Sequence, residues 1–318
     1  MNPAGVGALL KDGAAYAAEP LEETERLDAH TAGHEDTTMD VTQQTGNEQT
    51  KLWNGAGGRA WVETQELLDR IFKPVEDLLV QAVSAASPAS VLDVGCGTGS
   101  TTLAVARQIG ATGPTIGIDI SAPMIAAAQA RAERASLPAR FICANAEVHP
   151  FDPAGVDMII SRFGVMFFED SVRAFANLRR AARGGAELTI VAWRSAAENP
   201  FMTTAERIAA PFLPNLPARR PDGPGQFAFG NAQRVHTILE EGGWATIAVR
   251  PIDIECTMPE VEVVRYLSRL GPVGLALQDA DDRTRTKVID AIRPAFDPYI
   301  HGSEVRFTAA CWVVSARA

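Results

Sequence analysis

Val91-Leu92-Asp93-Val94-Gly95-Cys96-Gly97-Thr98-Gly99 is the stretch whose reading decides the fold. Its first four residues read as a short buried strand that runs into Gly-x-Gly-x-Gly, and a helical pattern follows at once. Such a junction turns the backbone sharply and removes side chains, so that a ligand can lie against the main chain. In an open α/β sheet, the space beyond the carboxyl end of the first strand is where nucleotide-like groups sit.

Strand and helix patterns alternate on either side of that turn. Strands are expected at 89–94, 115–120, 139–143, 156–161 and 186–193. Helices are expected at about 98–109, 121–135 and 170–183, the last ended by Gly184-Gly185. Regular alternation predicts a parallel sheet covered by helices on both faces. Before the first strand, an apolar face of Leu67, Leu68, Ile71, Val75, Leu78 and Leu79 predicts a helix from Val62 to about Val83, kinked at Pro74. Ahead of it, Trp53 and Trp61 flank what reads as a glycine-rich turn at 55–58.

After Trp193 the alternation breaks. Residues 195–230 are dense in Pro, Gly and Phe and read as a long loop that caps the ligand-bearing edge of the sheet. A helix near 231–242, a strand near 246–257, helices at 259–270 and 279–293, and a final strand Val305–Ser315 complete the pattern.

The chain has 318 residues and a formal charge of −10, but nine acids against Lys11 and Arg26 put −7 of that charge in residues 1–45. That segment has few large apolar groups and is expected to be a disordered acidic tail, with a short helix conceivable around 19–29. Its His30 and His34 have a metal-compatible spacing but read as solvated, and no metal site is expected. The folded body, 46–318, is close to neutral and shows no basic stripe, which argues against a nucleic-acid partner. Cys96, Cys143, Cys256 and Cys311 are widely spaced among apolar residues and read as reduced core thiols. No apolar run reaches membrane-span length and no signal peptide is visible at the N-terminus, so a cytoplasmic location is expected. The sequence leaves the oligomeric state open.

Three details sharpen the glycine signal. The spacing is G-x-G-x-G where the dinucleotide fingerprint is G-x-G-x-x-G. Thr98 stands at the helix start, where its hydroxyl could cap the helix and face a ligand. Asp119 closes the second strand in Ile116-Gly117-Ile118-Asp119-Ile120-Ser121, placed to accept both hydroxyls of a ribose.

With Met124, Asn145-Ala146-Glu147 and DMIISRFGVMFF at 157–168, these motifs make 46–318 resemble the class I S-adenosylmethionine-dependent methyltransferases, in particular the ubiquinone/menaquinone biosynthesis branch. The resemblance implies a Rossmann-like, seven-stranded, mostly parallel sheet whose last strand is antiparallel, with cap elements at 46–61 and 195–230. It also implies S-adenosyl-L-methionine as cofactor. Gly95, Gly97 and Gly99 would run under its methionine part, Asp119 and the adjoining Ile120 would meet the ribose, and Asn145 and Ala146 would flank the adenine. Thr98 and Ser161 match further contact positions. Asp93 either touches the cofactor or ties down the turn, and Met124 either packs on the cofactor or belongs to the core.

Methyl transfer from a sulfonium is an in-line displacement on an activated carbon, so a protein supplies alignment, exclusion of water and, for acidic acceptors, a base. Candidate bases are His149, His236, His301, Glu169 and Asp170, with His149 nearest the glycine turn in sequence. Arg162 is a candidate for facing the acceptor. The aromatics Phe201, Phe212, Phe227, Phe229, Trp53 and Trp61 suggest an apolar, ring-sized acceptor, equally consistent with a local core. A small aromatic or quinone-like metabolite, methylated on carbon or oxygen, is the expected partner. An NAD-dependent oxidoreductase and a non-catalytic adenosyl-binding protein are the competing expectations.

Overall fold

Val91–Val94 (β1) is buried at every position, as expected of a strand that receives neighbours on both edges and helices above and below. The computed structural model describes residues 41–318, apart from 111–112, 218 and 220–222. The acidic tail, the 19–29 helix and the His30/His34 pair lie outside the described residues, except that 41–45 open a helix, α1 (Val41–Asn54).

From β1 the chain passes through α5 (Ser100–Ile109), β2 (Thr115–Asp119), α6 (Ala122–Ala135) and β3 (Ala139–Cys143). It then crosses back to β4 (Val156–Arg162), α7 (Ser171–Ala181) and β5 (Ala182–Trp193). Two long strands finish the sheet: β6 (Ala245–Pro259) and β8 (Glu304–Arg317), with a two-residue β7 (Ile300–His301) hairpinned onto β8. The spatial order is β3-β2-β1-β4-β5-β8-β6. Pairings from β3 to β5 are parallel, and β8 runs antiparallel to both β5 and β6. The expected seven-strand Rossmann-like sheet with an antiparallel last strand is present, with β7 as an addition. Right-handed crossovers put α5 and α6 on one face and α7 on the other. Strand order reverses between β1 and β4, so a crevice opens at their carboxyl ends.

Several local expectations are corrected. The helix 62–83 is three helices, α2 (Ala56–Glu63), α3 (Gln65–Ile71) and α4 (Lys73–Ala86), broken at Thr64 and Phe72; Pro74 sits in the first turn of α4, where its missing N–H costs nothing. Gly57 and Gly58 lie inside α2 rather than in a turn, because a Cβ on Gly58 would stand 1.9 Å from the Trp53 carbonyl oxygen and 2.8 Å from Ser121 Oγ. Gly184-Gly185 does not end α7. The helix stops at Ala181 and the glycines sit in a register shift of β5, between the Val156↔Ala182 and Met158↔Glu187 pairs.

The 195–230 segment is not wholly loop, since Pro200 starts α8 (Pro200–Ala209). Between the last sheet strands come α9 (Ala232–Glu241), α10 (Val263–Arg269), α11 (Gly271–Gln278) and α12 (Asp282–Ile292). Cys96, Cys256 and Cys311 are buried, but Cys143 is exposed, because β3 is the edge strand. Among the described residues no helix is long and apolar enough to cross a membrane.

Candidate active site

At the carboxyl end of β1 the backbone enters left-handed conformations at Gly95 (φ +67°), Gly97 (φ +54°) and Gly99 (φ +82°), which L side chains rarely adopt. The turn is hung on β2: Gly95 N and Cys96 N both donate to the Ile118 carbonyl, at 2.8 and 3.1 Å. Asp119 fixes the rest. Its Oδ2 accepts from Gly97 N at 2.8 Å and its Oδ1 from Ser121 N at 2.9 Å. Burial pushes this carboxyl upward, partly offset by those N–H donors. Each oxygen keeps a free lone pair, so the carboxylate can still accept from two hydroxyls.

The sequence did not reveal Gly164. A Cβ there would lie 2.6 Å from both Gly95 Cα and the Val94 carbonyl oxygen, so the turn after β4 and the turn after β1 touch backbone to backbone. Ser161 bolts them together. It is fully buried, its Oγ donates to the Val94 carbonyl at 2.7 Å and accepts from Gly164 N at 3.2 Å. Phe163 is held at φ +64°, with its ring stacked on Trp193 at 4.7 Å; such strain persists only where surrounding contacts over-determine it.

A cavity of about 1080 Å³ opens above these turns. It brings together Gly95, Gly97, Asp119, Ile120, Met124, Asn145, Ala146, Arg162 and the candidate base Glu169 from the expected set. Gly97 shows why glycine is there: the nearest atom to a Cβ would be Met124 Sδ at 3.7 Å, so the added group would project into the cavity. Asn145 Oδ1 accepts from Glu147 N at 2.9 Å, which sets the turn beyond β3.

Eight of the expected contact and base residues do not line the cavity. Asp93 is buried beneath the turn, where its Oδ2 accepts from Thr102 Oγ1 at 2.6 Å; desolvation raises its pKa to about 6. Thr98 is engaged elsewhere, its carbonyl and hydroxyl accepting from Arg131 at 3.0 and 3.3 Å, and the α5 cap is Gly99 without a side-chain bond. Gly99 instead lets α6 and β3 approach, with Ala128 and Phe141 about 3 Å from its missing Cβ. Ser161 acts as the bolt already described. His149 packs on Phe151 at 4.7 Å, outside the cavity, and gives its carbonyl to Asn177. His236 and His301 are also absent from the lining, as is Asp170, which caps α7 by accepting from Arg173 N.

The other wall of the cavity is built by the cap. Asn54 Nδ2 donates to the Ile120 carbonyl at 3.0 Å, its Oδ1 accepts from Ala122 N at 2.8 Å, and Ser121 Oγ donates to the Trp53 carbonyl at 2.5 Å. The α1–α2 hairpin is thereby clamped over the Asp119 loop, with Trp53 edge-on to Trp61 and Phe167. Phe212, Phe227 and Phe201 from 195–230 line the far end, as do Tyr266 and Leu270 beside α11. Phe229 is core, and Phe201 does double service by stacking on Phe307 at 3.8 Å. The part played by α10 and α11 left no sequence signal beyond amphipathicity.

Comparison with known proteins agrees with this geometry. Residues 91–185 match the family model described as a methyltransferase domain. An uncharacterized protein of Mycobacterium tuberculosis (strain ATCC 25618 / H37Rv) is 30% identical over 176 residues, 55% of this chain and 61% of that protein. Demethylmenaquinone methyltransferase of Lactiplantibacillus plantarum is 35% identical over 108 residues, 33% of this chain and 46% of that enzyme. The chain thus spans about three fifths or less of these relatives' lengths. The solved structure of the YcgJ protein from Bacillus subtilis shares the fold, with a TM-score of 0.50 at 17% identity over 76% of this chain and 97% of that one. Within the larger Rossmann-like sheet, the stretch similar to that methyltransferase-domain family is 91–185, from β1 into the start of β5.

Proposed function

We propose that the chain transfers the methyl group of S-adenosylmethionine to a small, apolar, ring-bearing metabolite. The observation that carries this reading is one continuous cavity, with the glycine turn and Asp119 at one end and an aromatic cap at the other. Its volume exceeds that of a pocket for one drug-sized ligand, as a site for donor and acceptor together requires.

The residues fit the donor. Gly97 leaves open the space a Cβ would fill, Asp119 offers acceptors to a ribose, and Ile120, Asn145 and Ala146 form a slot for a flat base. Bound there, S-adenosylmethionine supplies an electrophilic methyl carbon. The chain's own work is alignment and exclusion of water: Trp53, Trp61 and Phe167 close one side, and Phe212 and Phe227 the other. With His149 outside the cavity, no histidine among the described residues is in place to serve as general base.

A quinone-like or other aromatic acceptor is supported by the aromatic lining and by the demethylmenaquinone methyltransferase relative. The near-neutral body favours such a partner over nucleic acid. A screen of phenolic, enolic and quinol metabolites with methyl-labelled donor tests the reading. Label transfer to at least one apolar aromatic acceptor is expected, whereas cofactor binding with no transfer to any of them would point to a non-catalytic adenosyl-binding protein.

A further inference from the structure

Arg162 closes β4 and lines the cavity, yet the fold gives its guanidinium no direct partner. Its Nη1 is buried without a hydrogen bond. Among the described residues no carboxylate pairs with it. The acids that neighbour it electrostatically are Asp69, Glu76 and Asp93; the first two are committed elsewhere, and Asp93 is bonded through Oδ2 alone, its Oδ1 being buried without a hydrogen-bond partner. Asp69 accepts from Arg131, Glu76 from Ser100 and Lys73, and Asp93 from Thr102. Leu68, Phe72, Phe163 and Trp193, which line the same cavity, offer no acceptor side chains.

A guanidinium with a buried, unbonded donor is expensive to maintain, since the neighbouring acids offset only part of its desolvation and the missing hydrogen bond goes uncompensated. It is also preorganised to take an anion, because its planar fork presents parallel N–H donors to two oxygens at once. The three nearby acids soften the local positive potential without filling the fork.

We propose that Arg162 is the anion-binding group of this cavity, receiving a carboxylate or an ionised phenol or enol oxygen. The inference rests on the methyl-transfer reading and deepens it. Two sources carry that chemistry: the amino-acid carboxylate of the methyl donor and an acidic oxygen on the acceptor. In the second case Arg162 favours the ionised, nucleophilic form of the acceptor, in a cavity where no histidine among the described residues stands ready to take its proton.

Binding to the full chain tests this without knowledge of the natural acceptor. S-adenosylhomocysteine and 5′-methylthioadenosine, which lacks the amino-acid end, are titrated into wild type, Arg162→Lys and Arg162→Met. If the donor carboxylate is the anion, Arg162→Met loses about 10–100-fold in affinity for S-adenosylhomocysteine and none for methylthioadenosine, with Arg162→Lys between. If the acceptor is the source, S-adenosylhomocysteine affinity is unchanged. Instead, the complex with it binds 2-naphthoate at least about tenfold tighter than 2-naphthalenemethanol, and Arg162→Met erases that preference. Either pattern supports the proposal. Should Arg162→Met not fold, wild type must still show one of the two carboxylate preferences and Arg162→Lys must reduce it. The absence of both preferences in wild type, or their persistence in the variants, overturns the proposal. Failure of wild type to bind either adenosyl compound would instead overturn the methyl-transfer reading itself.

Discussion

The carboxylate of Asp119 is set by two backbone N–H donors before any ligand arrives, so its lone pairs point where the strand end and the glycine turn dictate. Removing it costs the fold those bonds and, on the proposed reading, costs a ribose its charged acceptor. Asp119→Ala is expected to weaken S-adenosylhomocysteine binding by about 1.5–3 kcal/mol, measured by calorimetry. The glycines make a second test at this scale. Gly164→Ala must push Gly95 and Val94 apart, and is expected to cost about 1–3 kcal/mol of stability in a denaturant melt. Gly184→Ala meets nothing within 4 Å and should leave the melt unchanged within error. Asp93 adds a pH dependence. Burial raises its pKa from 3.8 to about 6, so between those values the folded chain holds a proton that the unfolded chain has released. Stability therefore falls as pH rises through that window, by on the order of 3 kcal/mol in total. Asp93→Asn should melt higher than wild type at pH 8 and lose that advantage near pH 4. Equal melting at pH 8 would show that the fold compensates the charge. The placement of Asp119 and Gly97 at the cavity was legible because it follows from a strand end and turn sterics. The engagement of Thr98 and Ser161 was not, because their hydroxyls are claimed by Arg131, 33 residues from Thr98, and by the Val94 carbonyl, 67 residues from Ser161.

Elements with strong periodicity were legible to within a few residues. All five strands from β1 to β5 were expected near their places, because a strand that runs into a glycine turn or follows a helix stop has little freedom of assignment. The misreadings fall where tertiary contact overrides local pattern. Gly57 and Gly58 read as a turn, but the helix containing them is pressed against Ser121, and glycine is what permits that approach. Gly184-Gly185 read as a helix stop, whereas the pair sits in the bulge that resets β5 against β4. Pro200 read as part of a loop but begins α8. The α1–α2 clamp gives a prediction at this scale. Asn54→Leu removes two hydrogen bonds to the Asp119 loop and should cost about 1–3 kcal/mol. Hydrogen exchange should quicken across 119–124 while the β5–β8 pairs remain protected. Uniform quickening would mean that the clamp supports the whole fold rather than the loop.

At the scale of the molecule, the reversal of strand order between β1 and β4 opens the crevice, and the cap elements roof it into a cavity. The parallel sheet was readable from the alternation of strand and helix and the ligand end from the glycine turn, but the strand order was not. The roof was readable only in part, because the cap draws on residues 48–61, 201–228 and 266–284 and no local pattern links them. The central claim is that this cavity holds an adenosyl methyl donor rather than a dinucleotide, and it is open to direct measurement. Calorimetric titration of the full chain with S-adenosylhomocysteine and, separately, with NADH tests it. Saturable one-to-one binding of S-adenosylhomocysteine is expected, with no heat of binding from NADH. Saturable binding of NADH without any for S-adenosylhomocysteine would contradict it.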